Sequence, residues 1–252
     1  MATDKSWEKI FDDYEIYKHD FNKEPFYITA TQIKRSCQDF KETGEKEVRI
    51  LCKQDTREGR PKVFREMGLF VLPVVNKKYV IIKGEGYTDI PPVQKTEEMY
   101  LSKLAFKLDT SLVGNSEMQH LDFAYASSLI RSFMNDDSLV LTIRGRKYTP
   151  EFSFKVNQNI IRVKSVQTEV DAGYEGKNQV ILIEAKNISA NNVIIRQLYY
   201  PYRQWKTHTS KPVATLFFES SGKSYSIWQF RFKDTNDYNS IELVKSGKFI
   251  IK

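Results

Sequence analysis

The sequence predicts a mixed α+β or α/β protein, with a mixed central sheet flanked by helices and a smaller α+β region in front of it. Three observations lead there. Short runs rich in β-branched and aromatic residues recur after residue 138, among them Val180-Ile181-Leu182-Ile183 and the segment Val213 to Glu219. Helical spacing borders them, as in Leu121, Ala124, Tyr125, Ser128, Leu129 and Phe133. Hydrophobic residues make up 40% and aromatic residues 13% of 252 residues, enough to fill the core of one large or two modest domains.

The elements follow in order. Ser6 to Lys18 reads as a short amphipathic helix. Ala30 to Phe40 reads as a second helix, with Thr29 as N-cap and Gln32 at the capping-box position, ended by Gly44. Glu45 to Cys52 is another short element, and Pro61 suits the first turn of a helix running to Met67. Leu69 to Val75 and Tyr79 to Lys83 are strands joined by Asn76-Lys77-Lys78. Ile90-Pro91-Pro92 is an extended linker, which divides the chain into residues 1–92 and 93–252. Lys95 to Leu108 and Ser116 to Phe133 are expected to be helical. Strands are expected at Ser138 to Ile143, Phe152 to Val156, Ile160 to Asp171 and Val180 to Lys186. A helix from about Asn192 to Lys206 precedes strands at Val213 to Glu219 and Ser224 to Phe232, and Ser240 to Ile251 reads as a hairpin through Ser246-Gly247. There is no internal repeat.

Composition excludes several function classes. Two distant cysteines, Cys37 and Cys52, suit a reduced cytoplasm and not a structural zinc. Three histidines, His19, His120 and His208, are too few and too scattered for a His-rich metal site. No stretch approaches the ~20 apolar residues of a membrane helix, and the first residues lack a signal-peptide apolar region, so a cytoplasmic protein is expected. Ser221-Gly222-Lys223-Ser224 lacks the earlier glycine of a phosphate loop. Charge is uneven: residues 138–252 carry 18 Lys and Arg against 9 Asp and Glu, and residues 49–83 hold nine basic against three acidic side chains. Such basic regions are the footprint of a polyanion partner.

The chemistry-bearing residues are Asp171 and the triplet Glu184-Ala185-Lys186. A strand ending in Asp171, turning at Gly173 and Gly176 and returning from Val180, makes an antiparallel pair. Side chains alternate along a strand, so Glu184 and Lys186 share a face that Asp171 can join. Two carboxylates with room for waters suit Mg²⁺. Lys186 would then orient the attacking water and offset developing charge.

This arrangement resembles the PD-(D/E)XK nuclease superfamily, most closely its type II restriction endonucleases, over roughly the last half of the chain. Val170 stands where that family usually has proline. Asp39-Phe40-Lys41 also fits the last part of the pattern, but no apolar strand precedes it. The resemblance implies a restriction-endonuclease-like core, in the order helix, three strands, helix, strand. It implies Mg²⁺-dependent, sequence-specific hydrolysis of double-stranded DNA by a homodimer in a bacterial or archaeal cytoplasm. Asp171, Glu184 and the Ala185 carbonyl would be the metal ligands, with Lys186 beside them. Gln197, in Gln197-Leu198-Tyr199-Tyr200, matches the helix motif of several branches, and Pro201 should kink that helix. The competing readings are a structure-specific repair or recombination nuclease of the same superfamily and a non-catalytic DNA-binding regulator.

The first region, in its order of helix, helix and hairpin, resembles a winged helix. On that reading Arg57, Arg60, Lys62 and Arg65 reach base edges or phosphates, and Lys77 and Lys78 at the hairpin tip meet phosphates. Arg203, on the helix after the motif, is a further candidate for the DNA backbone.

Overall fold

The computed structural model describes residues 2–252 apart from Asn115 and Ile188. The chain opens with helix α1 (Ala2–Asp13), whose Trp7, Ile10 and Phe11 recur at helical spacing and are fully buried. Strand β1 (Phe26–Thr29) leads into α2 (Ala30–Ser36). Thr29 and Gln32 form the expected capping box, which satisfies two helix-end donors. Three short helices follow, α3 (Thr43–Lys46), α4 (Val48–Leu51) and α5 (Lys62–Glu66), then the hairpin of β2 (Leu69–Val75) and β3 (Lys78–Lys83). These strands form a three-stranded antiparallel sheet in the order β1-β3-β2. Its core joins Trp7 and Phe64, 4.7 Å apart edge to face, to Ile28, Ile33 and Ile81.

The rest of the chain supplies β4 (Tyr87–Asp89), β5 (Glu98–Tyr100), α6 (Glu117–Ala126), α7 (Leu129–Met134), β6 (Val140–Tyr148), β7 (Phe152–Val156), β8 (Asn159–Val163), β9 (Gln167–Glu175), β10 (Val180–Lys186), β11 (Asn192–Ile194), α8 (Arg196–Lys206), β12 (Val213–Ser221), β13 (Ser224–Phe232) and β14 (Ile241–Ile251). Seven strands make one mixed sheet in the order β5-β14-β13-β12-β10-β9-β6. Strand β10 runs parallel to β12 because α8 carries the chain across between them, whereas β6, β9 and β10 are antiparallel. The protein is therefore a mixed α+β fold, a large mixed sheet flanked by helices. Among the described residues no helix is long and apolar enough to cross a membrane.

The continuous apolar run of β10 follows from burial on both faces. Ile181, Ile183 and Ala185 pack towards α6 and α7, with Leu121 and Ile130. Val180 and Leu182 pack with Val170 and Trp205 on the α8 side. By alternation Glu184 and Lys186 also face that side. Alongside it lies an aromatic core of Phe152, Phe154, Tyr199, Tyr200, Phe217 and Tyr238.

Several expectations need correction. Residues 95–108 form no helix, because Glu98–Tyr100 instead pair in parallel with the end of β14. Ile160 to Asp171 is not one strand: Ser165 adopts a left-handed backbone (φ 53°), so β8 pairs with β7 and β9 with the large sheet. Asn192–Ile194 are a strand against β4, and the helix begins at Arg196. Ser246-Gly247 makes no turn, since β14 stays extended along β13 with Gly247 opposite Ile227. Gly173 lies inside β9 and the chain reverses after Glu175.

Gly173 is instead a packing requirement. A Cβ there would lie 2.6 Å from the Ile143 Cβ on the neighbouring strand. Gly173→Ala is expected to destabilise the protein by roughly 1–3 kcal/mol through overpacking, lowering the melting temperature by several degrees in a thermal melt. An unchanged melt would show that β6 yields without cost.

Candidate functional site

The pairing of β9 with β10 stops at Ile183↔Ala172. The next residue of β9, Asp171, uses its side chain where the ladder ends: Oδ2 accepts the Ala185 N–H at 2.8 Å. Glu184 and Lys186 project beside it on the α8 side of β10. Lys186 Nζ donates to Glu184 Oε1 at 2.5 Å, and Gln197 Nε2, from the first turn of α8, donates to the same oxygen at 2.6 Å. The Gln197 Oε1 atom is buried and, among the described residues, has no hydrogen-bond partner. Pro201 stands inside α8 four residues on and has no N–H to offer the Gln197 carbonyl.

Burial dominates the electrostatics. Glu184 is 9% exposed, and removal from water pushes its carboxyl up to about 7, against the pull of Lys186. Burial also raises Asp171, opposed by the Ala185 N–H and Lys186 and helped by Glu117 and Glu169. For Lys186, burial disfavours the charge, but Glu184, Glu117 and Asp171 outweigh it and hold the ammonium above its usual value. Two acids thus share one cation, which leaves the site with affinity for further positive charge.

All four side chains line one cleft of about 1090 Å³. Glu117, at the start of α6, reaches the same cleft, as does Glu169, which pairs with Arg146. Glu175 is paired with Lys211. The remaining lining includes four basic residues: Arg49, Lys53, Lys77 and Arg196.

The structure brings together Asp171, Glu184, Ala185, Lys186 and Gln197, and of the expected DNA-contacting residues it adds only Lys77 to the cleft lining. Arg57 is paired with Glu85 and Asp89. Arg60 donates to the Leu69 and Arg57 carbonyls and lies 5.1 Å from the Tyr87 ring centroid. Lys62 pairs with Glu66 on the exposed side of α5, where Arg65 is also exposed. Lys78 sits over Tyr27. Arg203 donates to the Ser153 and Thr235 carbonyls and to Tyr199 Oη, above the Phe152 ring. Arg49, Lys53 and Arg196 carry a weak sequence signal: two belong to the basic stretch 49–83 and the third directly precedes Gln197.

Burial of the Glu184 carboxyl links stability to pH. A group whose folded value lies above its ordinary one, 4.5, adds stability below that value and loses it as pH rises through about 7. In chelator, the melting temperature of the wild type relative to Glu184→Gln is expected to fall between about pH 5 and pH 8. A constant difference over that range would mean that the Glu184 carboxyl does not titrate there.

No curated protein and no solved structure matches this chain. Residues 4–81 match a family described as a domain of unknown function, DUF6996. Its limit falls between Ile81 and Ile82, inside β3, so the two family regions share a strand. Residues 82–250, well over half of the chain, match the family described as domain of unknown function DUF6997, and the chain belongs to that family.

Proposed function

We propose that this protein is a Mg²⁺-dependent endonuclease of the PD-(D/E)XK kind that hydrolyses phosphodiester bonds in double-stranded DNA, acting as a type II restriction endonuclease. One observation carries the reading: Asp171, Glu184, Lys186 and Gln197, drawn from β9, β10 and α8, meet in one cleft. The topology supports it. Helix α7, the antiparallel strands β6, β9 and β10, helix α8 and strand β12, parallel to β10, keep the order helix, three strands, helix, strand, with the β7–β8 hairpin inserted between β6 and β9 and the short β11 before α8. In the first region α1, β1, the short helices and the β2–β3 hairpin, with β1 beside β3, are compatible with a winged helix.

The donor set suits a hard cation. It consists of oxygens only, two carboxylates and the buried Gln197 Oε1, which has no hydrogen-bond partner among the described residues, as Mg²⁺ prefers. Asp171 and Glu184 would hold the ion, with the Ala185 carbonyl as a further oxygen by analogy with the superfamily. When bound, Mg²⁺ supplies Lewis-acid stabilisation of the phosphoryl oxygens and a more acidic water. The chain's own residues do the rest. The Ala185 N–H fixes the Asp171 rotamer, and Gln197 Nε2 fixes that of Glu184. Lys186 keeps its charge in a partly buried setting, where a cation stabilises an attacking water and a developing phosphorane charge far more than in bulk water. Cutting both strands needs two such sites, so the working form is proposed to be a two-fold homodimer.

Incubation with long unmethylated DNA and Mg²⁺ is expected to give discrete fragments, and none in chelator. Asp171→Ala is expected to abolish cleavage while DNA binding persists; cleavage near the wild-type rate would remove the assignment. Lys186→Ala is expected to lower the single-turnover rate by about 10²-fold or more at saturating protein. If Lys186 is only a structural partner of Glu184, that variant will melt lower yet cut normally. Binding without cleavage by the wild type would favour a regulator that keeps the fold.

A further inference from the structure

Resting on the nuclease reading, we propose that the DNA backbone is held over the carboxylates by a basic rim of Arg49, Lys53, Lys77 and Arg196. The N-terminal contacts then come from α4 and the β2–β3 turn, and Arg57 and Arg60 serve the fold instead.

The four cations come from three separate segments and line the cleft that holds Asp171 and Glu184. Arg49 lies on α4 and Lys53 just past its end, while Arg196 opens α8 next to Gln197. Lys77 occupies a two-residue turn with φ 64°. That hairpin end is pinned to β8, because Lys164 N–H donates to the Val74 carbonyl at 2.9 Å and Val75 bridges to Lys164. The turn is therefore a fixed support for a charge, not a loose loop.

Availability separates these cations from their neighbours. Arg49 and Lys77 are exposed and, among the described residues, form no ion pair. Lys53 faces Asp55 at 3.4 Å, and Arg196 reaches the same carboxylate only at 4.0 Å. By contrast, Arg57 and Arg60 are committed to carboxylates and carbonyls within the fold. A rim of this kind also eases the approach of a polyanion. Asp171, Glu184 and Glu117 outnumber Lys186, so an approaching phosphate chain is repelled unless other cations offset the acids. Cations spread over both regions of the chain suit an extended polyanion, whose successive phosphates each take a separate contact.

The test uses a short duplex DNA and full-length protein carrying Asp171→Ala, in chelator, so that binding is read without cleavage. Affinity is measured against salt. Adding Arg49→Ala and Lys77→Ala together is expected to lower affinity at least about 10-fold at moderate salt and to reduce the slope of log K against log salt by about two. Arg49→Gln or Lys77→Gln alone should each reduce it by about one. Lys62→Ala with Arg65→Ala, on the exposed side of α5, should change neither quantity. If the Asp171→Ala protein binds with a steep salt dependence that the rim substitutions leave intact, or if the loss follows Lys62 and Arg65, the rim is overturned and the nuclease reading stands. If the Asp171→Ala protein binds no duplex even at low salt, both fall.

Discussion

A carboxylate at the end of a strand buried on both faces is the constraint around which this molecule is arranged. Glu184 follows the apolar run Val180–Ile183 directly, so the sheet that buries those residues buries it too. A charge in that position costs free energy unless it is paired and hydrogen-bonded. Lys186, two residues on, supplies the pairing, and Gln197 supplies the hydrogen bond because α8 must cross this face to lay β12 parallel to β10. Asp171 comes to the same place for a different reason. The β9–β10 ladder ends one residue before it, and the unpaired Ala185 N–H needs an acceptor.

The cleft beside these groups exists because the two regions of the chain are joined firmly. Asn192, buried at the start of β11, accepts from the Arg57 N–H and donates to Glu58 at 2.9 Å. Ile194 N–H donates to the Asp55 carbonyl, and Tyr87 Oη to that of Gln54. These bonds hold residues 54–58 against β4 and β11, so α4 and the residues after it face the carboxylates. Arg49, Lys53 and Lys77 of the first region thus share one cleft with Glu117, Asp171 and Glu184 of the second.

Helix α8 carries two duties on two faces. Gln197 turns to Glu184, while Tyr199 and Tyr200 pack into the aromatic core with Phe152, Phe154 and Tyr238. Arg203 lies over Phe152 and bonds to the Thr235 carbonyl, which ties the helix to the loop after β13. A basic residue near a candidate site is here a structural one, as its planar guanidinium finds both an aromatic face and carbonyl acceptors.

Signals complete within a few residues were legible in the chain itself. The Thr29–Gln32 capping box, the Asn76-Lys77 turn and the strand β10 each depend on neighbours close in sequence. Alternation along β10 was enough to put Glu184 and Lys186 on one face, and the spacing to Asp171 was enough for an adjacent antiparallel strand. Tertiary structure decided what depends on distant partners. Residues 98–100 are a strand only because the end of β14 lies beside them, and Asn192–Ile194 only because β4 does. Cation use was likewise invisible in the sequence. Arg57, Arg60 and Arg203 resemble Arg49 and Arg196 as residue types, and only folding sends the first three to internal acceptors and the others to the cleft. Local patterning specifies which face a side chain takes on its own element; what that face meets is set by long-range packing, which no short window of sequence contains.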